Sequence, residues 1–415
     1  MLFNRRRIVA LPLTVGVLAW AGLSSRAEAA TGPGGPAADP GDPAAGPGDP
    51  SAAPESEPFT AGSGGYAVYR VPALVRTAAG TLVAFAEARA SGSDTGSIVV
   101  VARRSEDGGR NWGPQAVVSG DGSDTRGNPC PVLDRRTGRI VLLTCSNGAD
   151  ATEHQIMSGA VPAADSRRVW LQHSDDDGRS FGTPAEITAD AKRPDWRWYA
   201  TGPGHAIQLT SGPHQGRLVA GANHSSAPPA GSSDTGAEDR YYGGHCLLSD
   251  DGGQTWRIGF TDDNPDGVVN ANESGCAQLP DGSLYFNARD QNGSAPGVRV
   301  DAHSVNNGET LLRPYAPQVE LAGPVAQGSV LQPATGPLLF AGPADPDARA
   351  EMTVRASADG GHTWIAVRPL SQLPAAQSDL AQTGPDEVGL LYETGTATPY
   401  ERIVFARLPL RELAP

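Results

Sequence analysis

One eight-residue pattern, Ser-x-Asp-x-Gly-x-(Thr/Ser/Asn)-(Trp/Phe), occurs four times and limits what this chain can fold into more than any other feature. It runs from Ser105 to Trp112, Ser174 to Phe181, Ser249 to Trp256 and Ser357 to Trp364. Each copy follows a β-rich stretch such as Ser97-Ile98-Val99-Val100-Val101-Ala102-Arg103 and precedes another short strand-like run, which places it on hairpin turns. The Asp of each copy can accept hydrogen bonds from N–H groups of its own turn, and the Gly supplies the positive φ a tight turn needs. The aromatic residue is expected to fold back onto its own sheet. Because every copy carries its own complete set, these aspartates are assigned to holding the fold and not to catalysis. The copies start 69, 75 and 108 residues apart. Repeating β units of roughly 40–60 residues would leave some units without the pattern. No long helical periodicity is present, and turn signals such as Pro280-Asp281-Gly282 recur throughout. An all-β chain with radial repetition accounts for these features.

The repeats do not reach the N-terminus. Arg5, Arg6 and Arg7 precede an apolar run from Ile8 to Leu23, and Ala27-Glu28-Ala29 offers a small-x-small cleavage site. Residues 1–29 therefore read as a signal peptide, exported by the general or a twin-arginine route, with no membrane span expected in the mature form. Residues 30–58 are almost wholly Gly, Pro, Ala, Asp and Ser. Such a segment buries too little apolar surface to offset its ordering entropy, so a disordered linker is expected. Residues 59–415 read as one globular unit. Removing the leader's four arginines and one glutamate takes the net charge from −14 to −17. So acidic a protein repels phosphate backbones, which excludes nucleic acid as a partner. An anionic ligand would need a local cluster of arginines. The cysteines are Cys130, Cys145, Cys246 and Cys276. Cys130 and Cys145 flank a hairpin turn at Arg136-Thr137-Gly138, which leaves a bridge or buried free thiols open. Their spacings match no zinc site.

A second set of motifs lies between the repeats. Tyr69-Arg70-Val71-Pro72-Ala73-Leu74 precedes Leu82–Arg89 and Ser93-Asp94-Thr95-Gly96. Downstream come Asn287-Ala288-Arg289-Asp290 and Arg349, just before Met352-Thr353-Val354-Arg355. Together with the repeated turns, known as Asp boxes, these motifs resemble the secreted bacterial exo-sialidases over nearly all of residues 59–415. The resemblance implies a six-bladed β-propeller that acts on sialylated glycans or related acidic-sugar glycosides, as a monomer and without cofactor or metal. It also implies that Arg70, Arg289 and Arg349 hold the sugar carboxylate. The chemistry supports this, since a guanidinium presents a planar fork of donors to the two carboxylate oxygens. Asp94 matches the general acid, which must hold a proton for the departing oxygen and so needs a raised pKa in the bound complex. Arg89 and the Asn128 of Asn128-Pro129-Cys130-Pro131 match contacts to a distal hydroxyl. Trp196-Arg197-Trp198-Tyr199 resembles a segment near the site, with its aromatics assigned either to the pocket or to the core.

Glu273 lies sixteen residues before Arg289, as the family's Glu–Arg pair does. In the family that Glu polarises a tyrosine nucleophile, a neutral group that the sugar carboxylate does not repel. Here the sequence departs from the pattern. Where Tyr-Ser-Asp-Leu is expected, the chain has Gln377-Ser378-Asp379-Leu380. Tyr392 belongs to a different motif and is not assigned as a replacement. Three readings follow: a glycosidase in which Glu273 activates water and Asp94 serves as acid, with Gln377 positioning that water; a hydrolase of another ulosonic acid; and a glycan-binding propeller that has lost catalysis.

Overall fold

The computed structural model describes residues 55–415. The expected signal peptide and the expected linker as far as residue 54 lie outside the described residues. Strand structure begins earlier than composition suggests. Glu55–Thr60 is a β-strand, with Glu55 and Ser56 opposite Ala406 and Phe405 of the last strand. The linker boundary therefore moves back from residue 58, because Phe59 has a core to enter and the Ser56 Oγ accepts from the Trp112 indole.

The fold is an all-β propeller of antiparallel sheets. The first sheet has eight strands. It consists of two four-stranded meanders, Val68–Arg76 to Ala116–Ser119 and Asp124–Asp134 to Ala185–Glu186, joined by one parallel pair, Ile98 with Thr125. Three more sheets follow in chain order, spanning residues 196–263, 271–317 and 329–369. The last combines Ala375–Gly384, Glu387–Thr394 and Arg402–Pro409 with Glu55–Thr60 from the start of the described chain. That pairing covers the open edge of the last sheet, which would otherwise expose unpaired backbone groups.

Strands in the middle of each sheet are covered on both faces. Every residue of Leu82–Arg89 and of Tyr242–Ser249 is buried, whereas the outer strand Ile365–Pro369 has none buried. The apolar clusters accordingly lie between neighbouring sheets, as where Val141 and Leu143 meet Leu218 and Leu247.

The Asp boxes all occupy one position, the turn after the third strand of a four-stranded meander. In Ser105–Trp112 the Ser105 Oγ donates to Asp107 Oδ1 at 2.8 Å and accepts from Gly109 N–H at 2.8 Å, while Asn111 N–H donates to the same Asp oxygen at 2.9 Å. The set repeats around Asp176, Asp251 and Asp359. The structure adds a fifth box that the pattern missed. Ser304-Val305-Asn306-Asn307-Gly308 makes the same bonds, with the Asn306 Oδ1 in place of the Asp carboxylate. It fills the 108-residue gap between the third and fourth copies.

The box aromatic packs onto the preceding meander around the ring as well as onto its own, as Trp364 does on Phe340. Trp112 meets Phe405 edge-on at 5.6 Å, Phe181 meets Phe85 and Trp364 meets Tyr285. The glycine shares this contact. At Gly361, φ is +98° and a Cβ would stand 2.4 Å from the Tyr285 ring. A box therefore closes its own hairpin and seats it on its neighbour, which explains why the glycine is required for two reasons.

No bridge joins Cys130 to Cys145. A bulge between Gly127 and Cys130 shifts the register, so that Cys130 faces Leu143 and Cys145 faces Gly127. All four thiols are free and buried. No helix among the described residues is long and apolar enough to cross a membrane.

Candidate active site

A polar cavity of about 320 Å³ gathers every site residue singled out from the sequence. Arg70, Arg89, Asp94, Asn128, Glu273, Arg289, Arg349 and Gln377 all line it, although they come from segments up to 307 residues apart (Arg70 to Gln377). The three arginines assigned to one carboxylate thus converge.

Two of the lining elements share a construction. Val71 and Asn128 have φ of +57° and +53°, a strained region for a non-glycine residue and most of all for a β-branched one. Each sits in a β-bulge, and each N–H donates at 2.8 Å to a buried carboxylate, Glu393 for Val71 and Glu87 for Asn128. The bulge turns the chain out of regular pleating, and the carboxylate holds it there. The same carboxylates also aim the arginines. Glu393 accepts from Arg70 Nε at 2.8 Å, and Glu87 accepts from Arg89 Nε at 3.0 Å. Burial disfavours the Arg70 charge, but Glu393, Tyr400 and Asp94 outweigh it and hold the guanidinium above its ordinary pKa. Neither Glu87 nor Glu393 was singled out from the sequence, since their role depends on partners up to 323 residues away.

Asp94 stands on the loop between Leu82–Arg89 and Ile98–Ser105, with its side chain largely exposed and 2.5 Å from Arg89 Nη1. Desolvation at the pocket mouth raises its carboxyl, but Arg89, Arg70 and Arg349 more than offset this and leave it below the ordinary range. The raised value needed by a general acid is therefore absent from the unliganded site. A bound carboxylate would supply it by neutralising Arg70 and Arg349 and covering the loop.

Glu273 and Gln377 meet at the cavity floor. The Gln377 Nε2 donates to Glu273 Oε1 at 2.7 Å, and Arg289 Nη1 donates to Glu273 Oε2 at 2.8 Å. The backbone N–H of Gln377 is held by Glu393 at 3.1 Å, while its amide oxygen is buried without a partner. The intact Ser378-Asp379-Leu380 frame has a structural explanation. Asp379 accepts from Leu74 N–H, His205 N–H, His205 Nδ1 and Ser329 Oγ within 2.8–2.9 Å, tying together segments of four sheets.

Sequence reasoning missed four further lining residues. Arg167 donates to Tyr199 O, Asn147 Oδ1 and Asn128 Oδ1, with its guanidinium 4.1 Å over the Trp198 ring. Glu153 lies on a short helix, Glu153–Met157; it accepts from the Tyr242 hydroxyl, and burial pushes its carboxyl up. Asn147 and Tyr400 complete the set. None carries a local motif. The Trp196–Tyr199 segment divides: Trp198 lines the cavity, while Trp196 and Tyr199 are core. Tyr392 is buried away from it, donating to Glu55 at 2.6 Å. Among the described residues no cluster of metal-ligating side chains occurs.

A propeller with Asp boxes and arginines converging on one polar cavity defines a class of Asp-box propellers with a cationic pocket. Comparison with known proteins narrows this. The family model described as "BNR repeat-like domain" matches residues 80–392. The "Sialidase" of Micromonospora viridifaciens is 31% identical over 367 residues, covering 84% of this chain and 53% of that protein. The "Exo-alpha-sialidase" of Aspergillus fumigatus is 29% identical, covering 83% of this chain and 85% of that one. The chain thus spans about half the length of the first relative and most of the second. Among solved structures, the Hadza microbial sialidase Hz136 superposes with a TM-score of 0.74 at 27% identity, over 87% of this chain and 69% of that one. The intramolecular trans-sialidase of Ruminococcus gnavus superposes at 0.71 and 19% identity, over 89% and 100%, a likeness of fold. The chain belongs to the exo-sialidase family with BNR repeats.

Proposed function

We propose that this protein is an exported exo-glycosidase that releases terminal sialic acid, or a related ulosonic acid, from glycoconjugates. The eight-stranded sheet counts as two blades in this reading, which makes the propeller six-bladed. The observation that carries it is the pairing of a carboxylate-binding arginine cluster with two differently placed carboxyl groups, Asp94 at the mouth and Glu273 at the floor.

The mechanism follows from Gln377. An amide cannot form the covalent intermediate that a phenol would, so water is the nucleophile. Glu273 accepts its proton as the water oxygen bonds to the anomeric carbon. The glycosidic C–O bond breaks, and Asp94 gives its proton to the departing oxygen. Gln377 holds the Glu273 carboxylate, and its unpartnered amide oxygen is free to orient the water. Direct displacement of this kind inverts the anomeric centre.

Proton NMR of the first-formed sugar tests the scheme, with inversion expected for the natural chain and a shift to retention for Gln377→Tyr. Retention by the natural chain would rule out direct displacement. A second reading, binding without turnover, is favoured by one observation: both Glu273 oxygens already accept hydrogen bonds, from Gln377 and Arg289, which weakens it as a base. Micromolar sialic acid binding with no release from a fluorogenic sialoside, beside an Asp94→Ala control, would establish that reading.

A further inference from the structure

Of the three arginines assigned to the sugar carboxylate, two have acidic partners. Arg70 pairs with Glu393 and Arg289 with Glu273. Arg349 forms no ion pair with any described residue. It is held by two neutral oxygens, donating from Nη1 to the Tyr400 hydroxyl at 2.9 Å and from Nη2 to the Val325 carbonyl at 3.0 Å. Tyr400 also lies under Arg70, whose guanidinium carbon is 3.9 Å from the ring centroid. One side chain therefore touches both Arg70 and Arg349.

We propose that Tyr400 is a positioning residue for carboxylate recognition, setting the spacing of Arg70 and Arg349 through its ring face and its hydroxyl. The inference rests on the acidic-sugar reading of the cavity and deepens it. A carboxylate in place of the phenol would also aim Arg349, but it would cancel the charge the ligand needs. A neutral acceptor orients the guanidinium and leaves its charge in force. The ring adds cation–π attraction to Arg70 without adding an anion.

The loop that carries Tyr400 is built to hold it still. The Glu401 carboxylate accepts from the N–H groups of Thr396, Ala397 and Thr398 at 2.9, 2.8 and 3.0 Å. These donors pull its pKa down to about 2, so the latch stays ionised over the working range. Tyr400 acts through the arginines and not on the reacting atoms, because its hydroxyl accepts from Arg349 and no described carboxylate takes its proton. A nucleophilic phenol would need such a base.

Calorimetric titration with N-acetylneuraminic acid and with its C1 carboxamide tests the proposal. In Tyr400→Phe the acid is expected to bind about fivefold more weakly, in line with the loss of one hydrogen bond that aims a charged group. Binding of the carboxamide and the melting temperature stay as in the natural chain. KM for a fluorogenic sialoside rises by a similar factor and kcat changes less. In an Arg349→Ala background the same substitution has less than about twofold effect, since the group it aims is gone. Equal weakening of acid and carboxamide, unchanged binding of the acid, or a collapse of kcat at constant KM would each overturn it. A natural chain that binds neither N-acetylneuraminic acid nor another ulosonic acid sinks the acidic-sugar reading and Tyr400's role with it; a natural chain that binds well beside an unaffected Tyr400→Phe sinks only the role.

Discussion

The box turns and the cavity both depend on carboxylates and use them in opposite ways. In a box, the aspartate spends its oxygens within four residues of itself, on its own turn's N–H and hydroxyl groups. Those donors hold Asp176 and Asp359 at about 2. In the cavity, carboxylates reach across the chain, Glu393 to Arg70 and Glu273 to Gln377, over 323 and 104 residues. The first arrangement repeats because it is self-sufficient, and it holds no spare capacity for a ligand. The second occurs once, and it leaves unsatisfied groups such as the Gln377 oxygen and the Arg289 Nε. Local closure gives stability; long-range convergence leaves chemistry to spare.

The contrast can be broken by experiment, and the largest effect belongs to the cavity. Asp94→Ala is expected to cut turnover of a fluorogenic sialoside by about 10²–10⁴-fold, the usual worth of a general acid. Its melting temperature should scarcely move, because the side chain is 85% exposed. A large fall in melting temperature would make Asp94 a fold residue like its box counterparts. Gly361→Ala should do the reverse. The added Cβ meets Tyr285 at 2.4 Å with φ at +98°, so a loss of about 2–4 kcal/mol in denaturant unfolding is expected, with kcat/KM of the folded fraction unchanged.

The pH dependence should separate the two kinds of region further. A general acid must be protonated, and Asp94 in the free site lies below its ordinary range, so kcat/KM should rise as the pH falls towards that depressed value. Stability runs the other way. His224 and His245 are fully buried, with Nδ1 atoms 3.1 Å apart and Trp196 stacked on His224 at 3.7 Å. Burial lowers both, His245 well below its ordinary value. The unfolded chain therefore binds protons that the native state refuses, and stability is lost as the pH falls below about 6.5, at up to about 1.4 kcal/mol per pH unit for each group titrating. Thermal melts of the natural chain and His245→Gln between pH 7 and 5 check this, with a shallower decline expected in the variant. The smallest effect tests the fifth box. Asn306→Asp should stabilise the fold by about 0.5 kcal/mol, as charged acceptors hold the same donors more strongly than an amide. A neutral or negative result would show that Asn306 serves something other than the turn.

Legibility followed the same division. The four boxes were visible because Ser, Asp, Gly and the aromatic sit within eight residues; the fifth was not, because Asn306 and Leu311 break the pattern while the hydrogen bonds persist. Arg70, Arg289 and Arg349 were legible through their flanking motifs, and Gln377 through the intact frame after it. Glu87, Glu393, Arg167 and Tyr400 were not, since each owes its role to a partner far away in the chain, Asn128 for Glu87 and Arg167, Arg70 for Glu393 and Arg349 for Tyr400. Of the two readings left open for Cys130 and Cys145, the free thiols hold for a related reason: one bulge shifts the register, and a shift of register reassigns every facing pair.

The amino-acid sequence by itself determined the turns, the all-β character and the residue types available to the cavity, because these depend on groups a few bonds apart. Only the tertiary structure decided which carboxylate aims which arginine, which aromatic lines the cavity, and that the box side chains seat each sheet on its neighbour. Such pairings depend on the closed ring of sheets, and no short window of residues contains that information.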